Sequence, residues 1–425
     1  MTRERPTPAV NADVEDAPSV EIESDVMETL VRMLRRAARL EIRTVGTEHL
    51  LFALVRGDTE AGAALAPGVS DAGALSGVVA AREDGVWVHH EHADDGAAPA
   101  PEDEVEVTAA WREAQWLAAE NYSRSLPDGW DGWPEPSEAL RSCLLRALRL
   151  AREEGTPGVR CRHVARVLLD LPGSRAVEAL KLRRVDLTSA ASALDAQAVA
   201  EAGTPGPESR TVVLLRRAGL LGERGTWWTR ALMSWMSRAA GDGSPVLLAV
   251  RSEANRQAVR CGRREVEPVD LLLAIQGLDR ALTVAGRSLP EGIVPLNTAA
   301  ALMRSHRVRP STLIAGAIEA EPAPVTAEVP YSTETERVIA AARLLAAEHG
   351  SRAVGTVHLL AALLADGEGD GAGEGNVAGE ATVEGEGNGA DKDESGNGSL
   401  PSRLLREGGA DPTELLRQLG LRLGG

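Results

Sequence analysis

Histidine, a common metal ligand, recurs at one position of a motif that is repeated along the chain. His49, His163 and His358 each stand near the start of an apolar, helix-forming segment. A metal site would require these imidazoles to converge, yet each belongs to a different copy of the motif. The pattern therefore favours a half-buried structural histidine over a metal ligand.

The residues in front of these histidines are typical of helix starts. Thr47 and Thr356 stand where an N-cap residue belongs, and we expect each hydroxyl to accept a hydrogen bond from a free helix N–H, worth roughly 1 kcal/mol. Glu48, in the first turn, complements the positive end of the helix dipole. Pro268 occupies the equivalent place in the third copy and is also a favourable first residue of a helix.

The helical pattern that contains this motif occurs four times along the sequence. Each copy has an amphipathic helix, a short break and an apolar second helix, followed by shorter helices. A copy with one apolar face per helix cannot bury a core alone, so we expect the copies to pair. The first two helices fall at 27–55, 137–171, 251–275 and 334–364.

Pairing the copies predicts two helical domains. Domain 1 spans 24–200, with repeats at about 24–80 and 137–195 and an insertion at 81–136. Domain 2 spans 212–421, with repeats at about 245–300 and 331–420. The Gly- and Pro-rich stretch at 201–211 is predicted as the linker, 1–23 as a disordered tail, and the acidic, Gly-rich 366–398 as a disordered insertion.

Composition supports this all-α fold class. The 425 residues are 43% hydrophobic but include one Phe and two Tyr, so Leu, Ala and Val must fill the cores, which favours packed helices. No apolar stretch is long enough to cross a membrane. The acidic N-terminus lacks the apolar region of a secretory signal, and we expect a cytoplasmic protein. The net charge of −17 argues against a general nucleic-acid binder.

The repeated motif resembles the Clp repeat, which forms the N-terminal receptor domain of bacterial Clp-family unfoldases. Val45-Gly46-Thr47-Glu48-His49-Leu50-Leu51 matches throughout, and 354–360 departs at Val357 alone. The segments 158–164 and 266–272 are degenerate copies. The resemblance covers about 300 residues. It implies two tandem Clp-N-like domains, each a pseudo-symmetric pair of four-helix repeats.

In that family the Glu of this motif lies in pockets that recognise phosphorylated arginine. Carried over to this sequence, the residue survives as Glu48 alone; Arg162, Val269 and Val357 stand at the matching positions and cannot accept a guanidinium. The resemblance therefore makes Thr47 and Glu48 the candidate ligand-binding residues, with Glu48 as a mere helix-start residue the alternative.

Motifs for catalysis are missing from the sequence. A P-loop needs Gly before its Lys, whereas Lys181 follows Leu180 and Lys392 follows Asp391. Neither a G-x-S-x-G nor an H-E-x-x-H motif occurs. We therefore predict a non-enzymatic protein that needs no cofactor and no metal.

Three other features have two readings each. The cluster at 89–92 (His-His-Glu-His) could hold a metal loosely, but its Gly- and Asp-rich surroundings favour a flexible linker. Trp130 and Trp133 are either exposed binding anchors or fold back over the second repeat. An apolar segment with Trp227, Trp228 and Trp235 either packs in a core or between the domains, which we predict, or forms a groove for a partner. Cys143, Cys161 and Cys261 are predicted to be buried, reduced thiols.

The predicted function is the binding of protein or peptide segments in apolar grooves between repeats, with carboxylates that take basic side chains. By resemblance, the partners would be a Clp unfoldase or its substrates, and the protein would be an adaptor, decoy or regulator of Clp-dependent proteolysis or chaperone activity. Three alternatives remain: a subunit of an ATP-dependent Clp protease, a protein that sequesters cyclic-peptide antibiotics, and a purely structural scaffold.

Overall fold

The helices of this chain carry nearly all of its regular structure. The computed structural model describes residues 20–82, 99–120, 122, 126, 130, 132–221, 244–351, 353–369 and 399–423. Within these ranges there are eighteen α-helices and four two-residue strands, so the predicted all-α class is confirmed. No helix in the described ranges is both long and apolar enough to span a membrane.

The first half, up to residue 201, contains four strands and nine helices within the described residues. They are β1 (Glu21–Ile22), α1 (Ser24–Arg39), β2 (Thr44–Val45), α2 (Thr47–Arg56), α3 (Glu60–Leu65), α4 (Val69–Arg82), α5 (Pro101–Glu120), β3 (Glu135–Pro136), α6 (Glu138–Glu153), β4 (Gly158–Val159), α7 (Cys161–Asp170), α8 (Arg175–Leu182) and α9 (Leu187–Glu201).

The second half also has nine α-helices within the described residues. They are α10 (Arg210–Arg217), α11 (Pro245–Cys261), α12 (Pro268–Val284), α13 (Ala299–Ser305), α14 (Pro310–Ala317), α15 (Thr333–Glu348), α16 (Thr356–Gly369), α17 (Leu400–Glu407) and α18 (Pro412–Leu423), with a 3-10 turn at Val294–Asn297.

The two repeats of the first half hold each other by reciprocal strand pairs. The residues just before α1 form β1, which pairs in parallel with β4 in the break between α6 and α7. Conversely, β3 just before α6 pairs with β2 in the break between α1 and α2. The second half repeats the pattern: Val266 bridges to Tyr331, and the Ser244 hydroxyl donates to the Val354 carbonyl over 2.8 Å. The residues just before the first helix of each repeat, which we call its entry segment, therefore find their backbone partners in the other repeat.

Buried apolar side chains form two clusters, one drawn from 20–194 and one from 212–419. Leu, Ala and Val dominate both clusters, as the composition predicted. Helix α1 shows why: it buries Leu30, Leu34 and Ala37 on one face and presents arginines on the other. Ion pairs link the two halves between these clusters, and the candidate site lies there.

Several predicted boundaries are wrong. The tail predicted as disordered over 1–23 contains strand β1, which pairs with β4. Val20 and Ile22 are buried there. Helix α16 continues to Gly369, into the predicted insertion. Helix α12 extends to Val284, past the predicted end of that helix at residue 275. Two further helices, α13 and α14, carry the third repeat past its predicted end at about residue 300. The His89–His92 cluster, Trp227, Trp228, Trp235 and most of 366–398 lie outside the described residues.

Candidate functional site

The repeated histidine closes the start of the second helix in each repeat that has it. In all three cases the unprotonated Nδ1 accepts a hydrogen bond from the backbone N–H three residues earlier. Asp270 performs the same role in the third repeat, where its carboxylate accepts from the Glu267 N–H over 2.9 Å. The histidine bonds are Gly46 N–His49 at 3.0 Å, Arg160 N–His163 at 2.8 Å and Gly355 N–His358 at 3.0 Å.

Electrostatics keep these imidazoles neutral. Burial and the nearby charge of Arg175 lower the pKa of His49 to about 4. Burial and Arg162 likewise lower the pKa of His163 to about 4. A neutral ring leaves Nδ1 free to accept, as the helix cap requires. These positions hold structural histidines, as predicted, but all three side chains are buried rather than half-buried.

Thr47 and Thr356 are not N-caps. Each is the first helical residue, and extended Gly46 occupies the N-cap position in front of Thr47. The Thr47 hydroxyl instead accepts a hydrogen bond from Ala176 N at the start of α8, over 3.2 Å. The prediction failed because the helix begins at Thr47 itself, with Gly46 at the N-cap, and the Thr47 hydroxyl bridges the two repeats instead.

Glu48 also faces the partner repeat. Its side chain is 2% exposed, and its Oε1 accepts from Arg175 Nη1 over 3.0 Å. Arg175 of the same chain thus pairs with the carboxylate that was predicted to bind a ligand. The ligand-binding role of Thr47 and Glu48 stays a prediction, and in this structure both residues join α2 to α8.

A second set of charged residues lies between the two halves, and we call it the junction network. Its arginines come from the second half, on α11 and α12. Most of its carboxylates come from the first half, on β1, α5 and Glu23, the residue that precedes α1. The network consists of Arg256, Arg260 and Arg280 with Glu21, Glu23, Glu106, Glu113 and Glu253.

The geometry of the junction network is that of a closed lattice of ion pairs. Arg260, whose side chain is 3% exposed, donates to Glu113 over 2.8 Å and to Glu106. Arg256 donates to Glu113 over 2.8 Å and to Glu21 over 3.2 Å. Each guanidinium therefore binds more than one carboxylate, which is the arrangement that Arg favours for buried pairs.

Position in the network decides the pKa of each carboxyl group. Burial raises the pKa of Glu21, but Arg280, Arg256 and Arg260 outweigh it and lower the value to about 2. Arginines similarly lower the pKa of Glu113 against burial. Burial dominates at Glu106 and raises its pKa. Burial also raises the pKa of Glu23, so the network holds carboxyl groups whose pKa values are shifted in opposite directions.

Glycine allows one of these carboxylates to reach its partner. A Cβ on Gly158 would lie 1.9 Å from Glu23 Oε1. The Glu23 side chain passes over this bare backbone and accepts from Arg280 over 2.7 Å. Arg280 also donates to the Pro157 carbonyl over 2.7 Å, so the break between α6 and α7 belongs to the same contact.

Beside the network the two halves leave an open groove of about 990 Å³, which we call the junction groove. Its walls come from α1, α2, α5, α10, α11 and α12. Met27, Val31, Phe52, Trp116 and Leu117 supply apolar surface. Trp116 is anchored by its indole N–H, which donates to the Ala327 carbonyl of the second half over 3.2 Å. Neither Thr47 nor Glu48 lines this groove.

The sequence offered part of the signal for this site. Arg256 and Arg260 are four residues apart on one helix, and Glu106 and Glu113 are seven apart on another, so each pair shares a helix face. Nothing in the sequence indicates that these two faces meet. Glu21 fell in the predicted disordered tail and was missed for that reason.

Other candidate sites fare differently. Within the described ranges, no group of three or more His, Cys, Asp or Glu side chains could hold a metal ion. The three cysteines are buried free thiols, as predicted. Trp133 is buried and makes an edge contact with Tyr122, at 5.3 Å between ring centroids, so it folds back onto the first core.

The comparisons with known proteins identify no relative: no family model, no curated protein and no solved structure matches this chain. Membership of the Clp repeat family therefore stays a prediction that depends on the motif residues.

Proposed function

We propose that this protein is a non-enzymatic binding protein that takes segments of other proteins into the junction groove. The observation that carries the proposal is the groove itself, about 990 Å³ of open space between the two halves with both apolar and charged walls. Binding sites for ligands are typically concave, largely apolar and set between structural units.

The rigidity of the surroundings supports this proposal. The junction network fixes α5 against α11, and Arg112 adds hydrogen bonds to the Val259 and Ala323 carbonyls over 3.0 and 2.7 Å. A groove whose walls are held in place loses little entropy when a ligand binds. A receptor role, as in the N-terminal domains of Clp unfoldases that the motif resembles, requires such a preformed surface.

The proposal is tested by narrowing the groove. Val31 lines it and is half-buried, so Val31→Trp should fill part of the space; Val199, on α9, is 78% exposed and outside the groove, so Val199→Trp is the matched control. We expect fluorescence anisotropy with a pool of labelled peptides of mixed composition to show weaker binding to V31W alone. Equal binding by both variants and the unaltered protein would refute the assignment to the groove.

A role in Clp-dependent proteolysis, as adaptor or decoy, is the finer part of the proposal. Capture on the immobilised protein followed by mass spectrometry should recover a Clp unfoldase or its substrates, and Glu48→Ala should leave this recovery intact if the groove is the binding site. Loss of recovery in E48A would instead favour the motif residues. ATP turnover that a single substitution abolishes would contradict the non-enzymatic role.

A further inference from the structure

The arginines of the junction groove fall into two groups. Some are committed to the protein: Arg32 donates to the Ala53 carbonyl, Arg35 donates to the Ala118 and Leu117 carbonyls, and the Arg36 guanidinium lies 4.1 Å from the centre of the Phe52 ring. Arg32 and Arg35 satisfy carbonyls near the C-terminal ends of α2 and α5, where cations are stabilised.

The arginines of the other group make no such contact among the described residues. Arg39, Arg56 and Arg217 line the groove and are exposed. Among the described residues, none of the three has an ion pair or a side-chain hydrogen bond. The charge of Arg39 is felt within the groove, since the pKa of Arg35 is lowered by burial and by the positive charge of Arg39.

The carboxylates of the groove do not balance these charges. Glu23, Glu113 and Glu253 are paired in the junction network, Glu120 is paired with Arg210, and Glu208 with Arg216 and Arg287. In the described part of the groove, Glu28 alone lacks an arginine partner. Three free arginines against one free carboxylate give the groove a positive surplus, although the whole chain carries −17.

We infer that the junction groove selects acidic protein segments, whose carboxylates pair with Arg39, Arg56 and Arg217 while their apolar side chains contact Val31 and Phe52. This inference rests on the proposed function and names its ligand class. It reverses the sequence-based expectation that carboxylates of this protein take basic side chains. An acidic peptide fits better than a nucleic acid, because the apolar wall needs aliphatic partners and the acidic remainder of the chain repels a long polyanion.

The inference is tested with three labelled peptides of one length: ALEELLEELLEEL, its Glu→Gln analogue and its Glu→Lys analogue. The acidic peptide should bind at least about tenfold more tightly than the Gln analogue, and the preference should shrink with added salt. In the triple variant R39Q/R56Q/R217Q the acidic peptide and its Gln analogue should bind with equal affinity. R264Q/R309Q/R406Q removes three exposed arginines outside the groove and should keep the preference.

The possible outcomes separate the inference from the function on which it rests. Equal affinity for the acidic and Gln peptides would overturn the acidic selectivity but leave peptide binding intact. Failure of all three peptides to bind would overturn the proposed function itself. Tighter binding of a single-stranded oligonucleotide, with displacement of the acidic peptide, would replace the protein ligand by a nucleic acid. Circular dichroism and thermal unfolding of both triple variants confirm that they are folded.

Discussion

The junction network and the junction groove are built from the same residue types, but burial separates their roles. Arg260 and Arg39 are both arginines at the contact of the two halves. Arg260 is enclosed by Glu106 and Glu113 with 3% of its side chain exposed, whereas Arg39 is exposed and unpaired among the described residues. A buried guanidinium is bound to a fixed partner, while an exposed one is free for a ligand. An arginine at this interface therefore acquires its role from the partners that surround it.

The largest expected effect is the loss of a buried partner. Arg260→Met removes the arginine that pairs with Glu106 and one of the two arginines that pair with Glu113. We expect the free energy of unfolding in urea to fall by about 3–5 kcal/mol. Adding Glu106→Gln should restore part of it, because the buried negative charge is then removed. A loss below about 1 kcal/mol would mean that water enters the network.

Protonation of the two buried histidines should have the next largest effect on stability. His49 and His163 have a pKa of about 4 in the folded protein, against about 6.5 when unfolded. Between these two pH values the unfolded chain binds protons at the histidines that the folded chain does not. The stability that the neutral histidines contribute is therefore present above pH 6.5 and is lost as the pH falls toward 4. Each histidine should remove about 1 kcal/mol of unfolding free energy between pH 7.5 and 5.5, whereas protonation of buried Asp270, with a pKa of about 7, acts in the opposite direction.

The variant H49N/H163N separates the two histidines from the carboxylates. Asn carries an acceptor oxygen but does not titrate in this range. Between pH 7.5 and 5.5 this variant should lose about 2 kcal/mol less unfolding free energy than the unaltered protein, because Asp270, with a pKa of about 7, titrates alike in both. Glu21, with a pKa of about 2, contributes its own loss at lower pH, where the unfolded carboxyl binds a proton first. An unchanged pH slope would place the titrating groups elsewhere.

A smaller effect is expected at the fourth repeat. His358→Ala removes the acceptor that caps α16, and we expect a loss of about 1 kcal/mol relative to His358→Asn, which keeps an acceptor at the same place. The difference between the Ala and Asn variants reports the cap, because both remove the ring from the core. Equal stability of the two variants would show that the cap bond contributes nothing.

The smallest effect is expected in the groove. Arg39→Gln, Arg56→Gln and Arg217→Gln should each change the unfolding free energy by less than about 0.5 kcal/mol, since these exposed side chains have no partner to lose among the described residues. The loss of unfolding free energy in these variants should be several times smaller than the loss in R260M. A large loss would show that these arginines stabilise the fold and are unavailable to a ligand.

The helices were largely predictable from the sequence, and the site was not. Apolar spacing located α1, α2, α15 and α16, because an amphipathic face is a local property. The helix-capping role of His49 was partly predictable, as a structural histidine at a helix start. The meeting of Glu113 with Arg256 could not be predicted, because it depends on how two distant helices pack and leaves no mark within either one.

The reciprocal strand pairs have a consequence for how the first half opens. The Glu23 N–H donates to the Val159 carbonyl, and the Ser137 N–H donates to Val45 in the partner repeat. If either repeat unfolds, the other loses the backbone partner of its own entry segment. The two repeats therefore form one cooperative unit, whose amide protons at Glu23 and Ser137 would exchange with solvent at a common, slow rate.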